Sequence, residues 1–227
     1  MRGPTRRAAL AGAGSLLLAR NAAGSGPKRV LFIGNSFTHE HDVPGRVAAL
    51  ASAAGIWIEA VAHTRSGASL WGHLKEKSPP EFLLTYGRPD LVVLQDHSTT
   101  ALSEVSRGRS THAIQRFAMY HGALVLFAPW ARRLGHPLYA RPGMPAGPSE
   151  MMAVTDAHYR GVAQKVGAEV ASVGRRWDHA IAEGHDLHAS DGYHANETGA
   201  HLTALVLADT LGIPVPASDP LVAIVVP

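Results

Sequence analysis

The chain has 227 residues, of which 46% are hydrophobic and 17% are charged; this is enough for the core of one α/β domain and too apolar for a disordered chain. Its net charge is +3, but four of its 21 basic residues lie in the first 23 positions, and the other 17 face 18 acidic residues. That balance argues against nucleic-acid binding. The absence of cysteine excludes disulfides, thiol catalysis and cysteine-rich zinc sites.

The first 23 residues predict an export signal. Thr5-Arg6-Arg7 precedes an apolar run from Ala8 to Ala19, and small residues up to Ala23 are typical of a cleavage point. The run is short for a permanent membrane span, and the paired arginines are similar to those of a twin-arginine signal. We expect an exported, periplasmic or extracellular protein with one domain over 24–227 and no stable membrane span after cleavage. The alternative is an uncleaved anchor or a helical cap on that domain.

The first strand of the domain is predicted over Val30–Ile33, a short apolar run that stops at Gly34-Asn35-Ser36. Gly-Asn is turn chemistry, so Ser36 should lie at the carboxyl end of a buried parallel strand. Ligands bind at that edge of open α/β sheets. By itself the tripeptide is more often a simple turn than a site.

Further strands and helices are predicted in alternation along the chain. Apolar runs predict strands over 56–62, 90–95, 123–128 and 169–173, and helical spacing predicts helices over 43–54, 71–74, 111–121, 149–166 and 202–211. This alternation predicts an α/β fold, a three-layer α/β/α sandwich around a central parallel sheet of about five strands. The Pro- and Gly-rich stretch 131–149 predicts a long surface loop. The sequence of the tail, 213–227, does not indicate a role.

A second polar cluster, Asp191-Gly192-Tyr193-His194, comes just before the last helix. An aspartate three residues before a histidine can hold one ring nitrogen and leave the other free to accept a proton. Other polar segments also follow predicted strands, Ser66-Gly67-Ala68-Ser69 after the second and Gln95-Asp96-His97-Ser98 after the third. All of these segments are expected at the same edge of the sheet.

With these motifs in this order, the chain resembles the SGNH/GDSL hydrolase family from about Lys28 to Leu211. The resemblance implies a flavodoxin-like fold and makes Ser36 the nucleophile, His194 the general base and Asp191 the residue that orients it. It also implies an oxyanion hole formed by the backbone N–H groups of Ser36 and Gly67 and by a side-chain amide. Family members have an asparagine for that amide, and Gln95 is the nearest substitute here. Asn35 also stands where the family name records aspartate.

The resemblance implies a serine esterase that forms an acyl-enzyme, needs no cofactor and acts on a small-molecule or carbohydrate ester, with a small acyl group such as acetyl as our preference. Trp71, Trp130 and Tyr139 could form a wall against a sugar, or could equally be packing aromatics. The sequence does not indicate an oligomeric state.

Two alternatives remain open from the sequence. One is a catalytically impaired carbohydrate-binding protein with the same fold, because the asparagine is missing. The other is a histidine-rich metal-dependent hydrolase, with ligands from His39–Asp42 or from His185, His188, Asp191 and His194. Neither histidine cluster has the HExxH helix context, so the prediction for this chain is no metal site.

Overall fold

The computed structural model describes residues 27–120 and 123–226, so the predicted export signal lies outside the described residues. Five parallel strands form one sheet in the order β2-β1-β3-β4-β5. The strands are β1 (Lys28–Gly34), β2 (Ile58–Thr64), β3 (Leu91–Leu94), β4 (Leu124–Phe127) and β5 (Glu169–Ala171). The predicted α/β fold with a five-stranded parallel sheet is confirmed, and its strand order is flavodoxin-like.

The helices cover both faces of this sheet. They are α1 (Ser36–His39), α2 (Val43–Ala53), α3 (Leu70–Glu76), α4 (Pro79–Tyr86), α5 (Glu104–Ala118), α6 (Pro148–Val166), α7 (Val173–Ala182), α8 (Glu197–Thr210) and α9 (Val222–Val225). Short 3-10 turns occupy Glu40–Asp42, Thr100–Leu102 and Pro137–Ala140. No helix in the described ranges is long and apolar enough to cross a membrane.

Alternate residues of each central strand feed two separate cores. In β1, Val30 and Phe32 pack with α2, α7, α8 and α9, whereas Leu31 and Ile33 pack with α3 to α6. All four of these β1 side chains are fully buried. Continuous apolar runs are what a strand needs when helices cover both of its faces, which is why β1, β3 and β4 are readable from sequence.

Three helical segments differ from the sequence-based predictions. The helix predicted from residue 111 begins earlier, at Glu104, because Ser103 caps its first turn by accepting from the N–H of Ser106. Val173, predicted as the end of the fifth strand, instead begins α7. The unassigned tail contains α9, whose Ile224 is buried in the core.

The strand order also fixes where a ligand could bind. The chain runs from β1 to β2 on one side and from β3 to β4 on the other, so the loops after β1 and β3 diverge. In doubly wound sheets the crevice at this switch point is the usual ligand site. Ser36 is the second residue after β1, and Gln95 directly follows β3.

Candidate active site

Ser36 is delivered by a tight turn at the end of β1. Asn35 caps the short helix α1 by accepting from the N–H of Phe37 at 3.1 Å, and Ser36 is its first residue. A Cβ on Gly34 would clash with Thr38 Oγ1 and would lie 2.6 Å from Gln95 Oε1, so the turn needs glycine there. Ser36 is buried, with 6% of its surface exposed.

The structure brings Ser36, His194 and Asp191 into one hydrogen-bonded chain. His194 Nε2 lies 3.0 Å from Ser36 Oγ, and His194 Nδ1 lies 2.6 Å from Asp191 Oδ2. Asp191 Oδ1 also accepts the backbone N–H groups of Tyr193 and His194, at 2.9 and 3.0 Å. This carboxylate therefore fixes both the ring of His194 and the turn that carries it. The arrangement has the geometry of a nucleophile, a base and an orienting acid.

The pKa of Asp191 is lowered to about 2. Burial acts in the opposite direction and raises it, but the two backbone N–H donors and the His194 ring together outweigh that effect. The carboxylate is thus ionised at neutral pH. An ionised partner at Nδ1 leaves Nε2 free to accept the proton of Ser36.

Glu40 is a second carboxylate beside His194, in addition to the predicted Asp191. Its Oε1 lies 3.5 Å from His194 Nε2. Glu40 follows α1 directly, and His41 and Asp42 after it both have positive φ, 54° and 49°. These two residues form a strained turn that leads the chain past His194. In the sequence, Glu40 stands out only by its position four residues after Ser36 and as part of the segment His39–Asp42 that was considered for a metal.

The proposed oxyanion donors Ser36 and Gly67 both have free backbone N–H groups within the described part of the chain. Gly67 has a φ of 67° in the loop after β2, a conformation that glycine adopts without strain. Asn35 ties this loop to the serine turn, since its Nδ2 donates to the carbonyl of Ala68 at 2.9 Å. The two N–H groups predicted to hold an oxyanion therefore belong to loops that contact each other.

The side-chain amide of Gln95 is occupied by hydrogen bonds to neighbouring groups. Its Oε1 accepts from the N–H of Asn35 at 2.8 Å and from the hydroxyl of Thr38 at 2.9 Å, while its Nε2 donates to the carbonyl of Asp96. Gln95 is only 1% exposed. The Gln95 side chain therefore stabilises the turn behind Ser36. In this position it does not serve as the predicted third oxyanion donor.

Of the two alternatives left open for Trp130, the structure shows the packing role. It is 2% exposed and stacks between Phe37 and Trp177, with ring centroids 4.3 and 3.9 Å away. Its Nε1 donates to the carbonyl of Tyr193 at 2.9 Å, which links the loop after β4 to the histidine loop. Trp71 lies against His112, at 5.5 Å between ring centroids.

The histidine clusters considered for a metal have other partners. His41 contacts Glu197, with 2.9 Å between Nδ1 and Oε2, and the buried His188 donates to the carbonyl of Ala131 at 3.0 Å. Burial lowers the pKa of His188, so it is a neutral structural donor. Among residues 27–120 and 123–226, no three His, Asp or Glu side chains converge as metal ligands.

Several solved structures have a similar fold. A candidate SGNH hydrolase from Slackia heliotrinireducens is 29% identical, with a TM-score of 0.68 over 82% of this chain and 99% of that one. An acetylxylan esterase from Geobacillus stearothermophilus is 15% identical (TM-score 0.65, covering 86% and 98%), and a lipase/acylhydrolase from Enterococcus faecalis is 16% identical (TM-score 0.65, covering 85% and 99%). No family model matches the sequence, and no curated protein matches it significantly.

The similarity in fold agrees with the resemblance that the order of motifs along the chain indicates. The serine turn after β1, the glycine loop after β2 and the Asp191–His194 pair before α8 stand on the same parallel sheet. In fold and in the order of these motifs, the chain is similar to SGNH hydrolases.

Proposed function

We propose that the protein is an exported serine esterase that removes a small acyl group, with acetyl as the preferred group, from a carbohydrate ester. The observation that carries the proposal is the continuous hydrogen-bonded chain from Asp191 through His194 to Ser36. An unassisted serine hydroxyl is a weak nucleophile, and a base within 3.0 Å of it is the arrangement that activates one.

In the proposed reaction, Ser36 Oγ attacks the ester carbonyl carbon while His194 Nε2 takes its proton. The backbone N–H groups of Ser36 and Gly67 stabilise the oxyanion, and Asp191 stabilises the imidazolium. Collapse of the tetrahedral intermediate breaks the C–O bond, and the alcohol leaves with the proton from His194. Water then attacks the acyl-enzyme with His194 again acting as base, which releases the acid and regenerates Ser36.

Glu40 supports the same scheme. A carboxylate 3.5 Å from Nε2 favours the positively charged ring that forms when the serine proton is transferred. Its side chain is 40% exposed, so water screens this effect and its contribution is modest.

The carbohydrate preference rests on similarity, and the export on the first 23 residues. Similar solved structures include acetylxylan esterases at 15% identity. Export would place the enzyme where extracellular or envelope esters occur. Amino-terminal sequencing of the secreted protein is expected to give a start near residue 24, and a mature start at Met1 would contradict the export signal.

A catalytically impaired binding protein is the second candidate, favoured by the engagement of both ends of the Gln95 amide. Removal of one oxyanion donor costs about 100- to 1000-fold in rate elsewhere. A protein with two backbone donors could therefore be slow, or could bind esters without cleaving them.

Hydrolysis assays separate these candidates. The wild type is expected to hydrolyse 4-nitrophenyl acetate and acetylated xylo-oligosaccharides, with shorter acyl chains preferred. Ser36→Ala and His194→Ala should each lose roughly 10⁴-fold or more in kcat/KM while remaining folded. Ser52→Ala, an exposed serine on α2, is the matched control and should retain full activity. Full activity in Ser36→Ala would reject the assignment, and binding without turnover in the wild type would favour the second candidate.

A further inference from the structure

Next to the candidate active site is a cavity of about 340 Å³ whose lining is rich in cationic and hydroxyl groups. Arg132, Arg141, His97 and His136 line it together with hydroxyl side chains that include Thr99. None of the described residues that line it is Asp or Glu. A cavity with two guanidinium groups and no carboxylate has the composition of a site for an anion.

Arg132 is the central cation of this cavity. Within the described residues it makes no ion pair, although its neighbour Arg133 pairs with Asp186 at 2.7 Å. In the part of the chain that the structure describes, its side-chain hydrogen bonds are both long, to Ser98 Oγ at 3.3 Å and His136 Nε2 at 3.4 Å, and its Nε is buried without a hydrogen-bond partner. Burial lowers the pKa of Arg132, which reflects the free-energy cost of keeping this charge out of water. A bound anion would offset that cost.

Two carboxylates lie near the cavity but outside its lining. Asp191 favours the charged form of Arg132, but it makes no ion pair with it and accepts hydrogen bonds from His194 and from two backbone N–H groups. The buried Asp96 lies under His97 and accepts its N–H at 2.7 Å. Burial lowers the pKa of both His97 and His136, so at neutral pH the two arginines carry the positive charge and the histidines are neutral hydrogen-bonding groups.

Arg132 connects the cavity to the reacting atoms. Its guanidinium carbon lies 4.2 Å from the centroid of the Tyr193 ring, a cation–π contact. The rings of Tyr193 and His194 are 3.7 Å apart, and His194 Nε2 is 3.0 Å from Ser36 Oγ. An anionic group in the cavity would therefore lie one aromatic ring away from the catalytic base.

A second cavity, of about 510 Å³, lies on the other side of Arg132 but has a different composition. It is lined by Trp177 and by the carboxyl groups of Asp178 and Asp186, one of which already pairs with Arg133. Arg132 borders this cavity as well, but here two carboxyl groups share the lining with it, whereas the smaller cavity has none. The smaller cavity is therefore the better candidate for an anion site.

We propose that this cavity is a specificity subsite for a compact oxyanion on the substrate, so that the preferred ester is one whose carbohydrate carries a carboxylate close to the acylated hydroxyl. This inference rests on the proposed esterase function. Arginine fits a carboxylate with paired hydrogen bonds, and the cavity hydroxyls can complete the shell. Recognition of the anion would anchor the sugar while its ester group lies at Ser36.

The test compares two ligands that differ in one group, the monoacetates of methyl glucopyranoside and of methyl glucopyranosiduronate. Binding is measured by calorimetry on Ser36→Ala, so the result does not depend on turnover. The carboxylated ligand is expected to bind at least tenfold more tightly than the neutral one. In the Ser36→Ala background, Arg132→Gln should abolish this preference, while Arg132→Lys, which keeps the charge, should retain part of it. If the Arg132 guanidinium only held Tyr193 and Ser98 in place, lysine would not restore the preference for the carboxylated ligand.

Two further variants keep the test decisive. Arg141→Gln changes an exposed arginine, so the variant is expected to fold, and it should reduce the preference several-fold. Arg109→Gln removes the same charge from the exposed face of α5 and should leave the preference unchanged. Equal affinity for the two ligands, or a preference that survives both Arg132→Gln and Arg141→Gln, would overturn the subsite. Ser36-dependent hydrolysis of 4-nitrophenyl acetate is read separately, so failure of the subsite and failure of the esterase proposal are distinguishable.

Discussion

The two halves of the candidate active site are built in different ways. The serine half belongs to the sheet: Asn35, Ser36 and Gln95 are 3%, 6% and 1% exposed, and the carboxamide of Gln95 joins the ends of β1 and β3. The histidine half belongs to a surface loop, in which the side chain of Asp191 is 42% exposed. The nucleophile is thus set by the core, and the acid–base pair is set at the surface.

The histidine loop is fixed by another loop and not by a strand. Trp130 donates to the carbonyl of Tyr193, His188 donates to the carbonyl of Ala131, and Arg133 pairs with Asp186. A single antiparallel bridge joins His188 to Ala195. Changes in this region should therefore alter catalysis with little loss of stability, whereas changes behind the serine should reduce both.

Asp191→Asn is expected to have the largest effect in the loop half. Asparagine can still accept the backbone N–H groups, but it loses the charge that stabilises the imidazolium and can hold the wrong tautomer of His194. We expect kcat/KM to fall by about 100- to 10,000-fold, with only a small fall in the thermal midpoint because the partly exposed carboxylate also stabilises its own turn. Asp186→Asn, on the same loop and paired only at the surface, is the control and should cost less than about threefold. A large loss of stability in Asp191→Asn would show that this loop is not independent of the core.

Gln95→Ala tests the serine half. It leaves the buried N–H of Asn35 and the hydroxyl of Thr38 without their acceptor, so the free energy of unfolding should fall by about 1–3 kcal/mol. Displacement of the serine turn should lower kcat/KM by roughly 100-fold. Denaturant unfolding and kinetics measure the two effects, with the exposed Gln115→Ala as control. A loss of activity at unchanged stability would instead assign Gln95 to the oxyanion hole.

Trp130→Phe examines the contact between the two halves. Phenylalanine can keep the stack between Phe37 and Trp177 but cannot donate to the carbonyl of Tyr193. The free energy of unfolding should fall by about 1 kcal/mol, and kcat/KM should fall several-fold because the histidine loop is less well fixed. Trp71→Phe, which removes an indole away from this stack, serves as the control for a general effect of losing tryptophan. Unchanged kinetics would mean that the other loop contacts suffice.

Glu40→Gln should have the smallest effect. It removes a partly exposed negative charge 3.5 Å from His194 Nε2, and such pairs contribute about 0.2–1 kcal/mol, equivalent to at most about fivefold in kcat/KM. The loss should shrink in high salt because the charge is screened. Glu76→Gln, which changes an exposed ion pair with Arg65, is the matched control. An unchanged or higher rate would remove Glu40 from the account.

Sequence predicted the serine half better than its surroundings. Val30–Ile33 and 90–95 are apolar runs that parallel strands require, so the position of Ser36 at a strand end followed directly. The role of Gln95 could not be predicted in this way, because the partners of a buried amide depend on how two strands meet. Family resemblance pointed to an oxyanion donor, whereas the side chain binds Asn35 and Thr38.

The loop half was readable only through its local motif. The Asp191-x-x-His194 spacing encodes the hydrogen bonds within the turn, but the contacts that dock the turn come from residues 50 to 65 positions earlier in the chain. No local sequence pattern predicts that Trp130 is buried between two other rings or that Glu40 lies beside His194. The helix α7 could have been found, since Val173, Trp177 and Ala180 have helical spacing and are all buried.

The central claim is that the surface loop activates a serine held by the core, and covalent labelling tests it most directly. A serine-directed phosphonate should form one adduct, located at Ser36 by peptide mass spectrometry. Labelling should disappear in Ser36→Ala and become at least 100-fold slower in His194→Ala, while Ser52→Ala should label like the wild type. No adduct in the folded wild type, an adduct at another serine, or equally fast labelling of His194→Ala would contradict the claim.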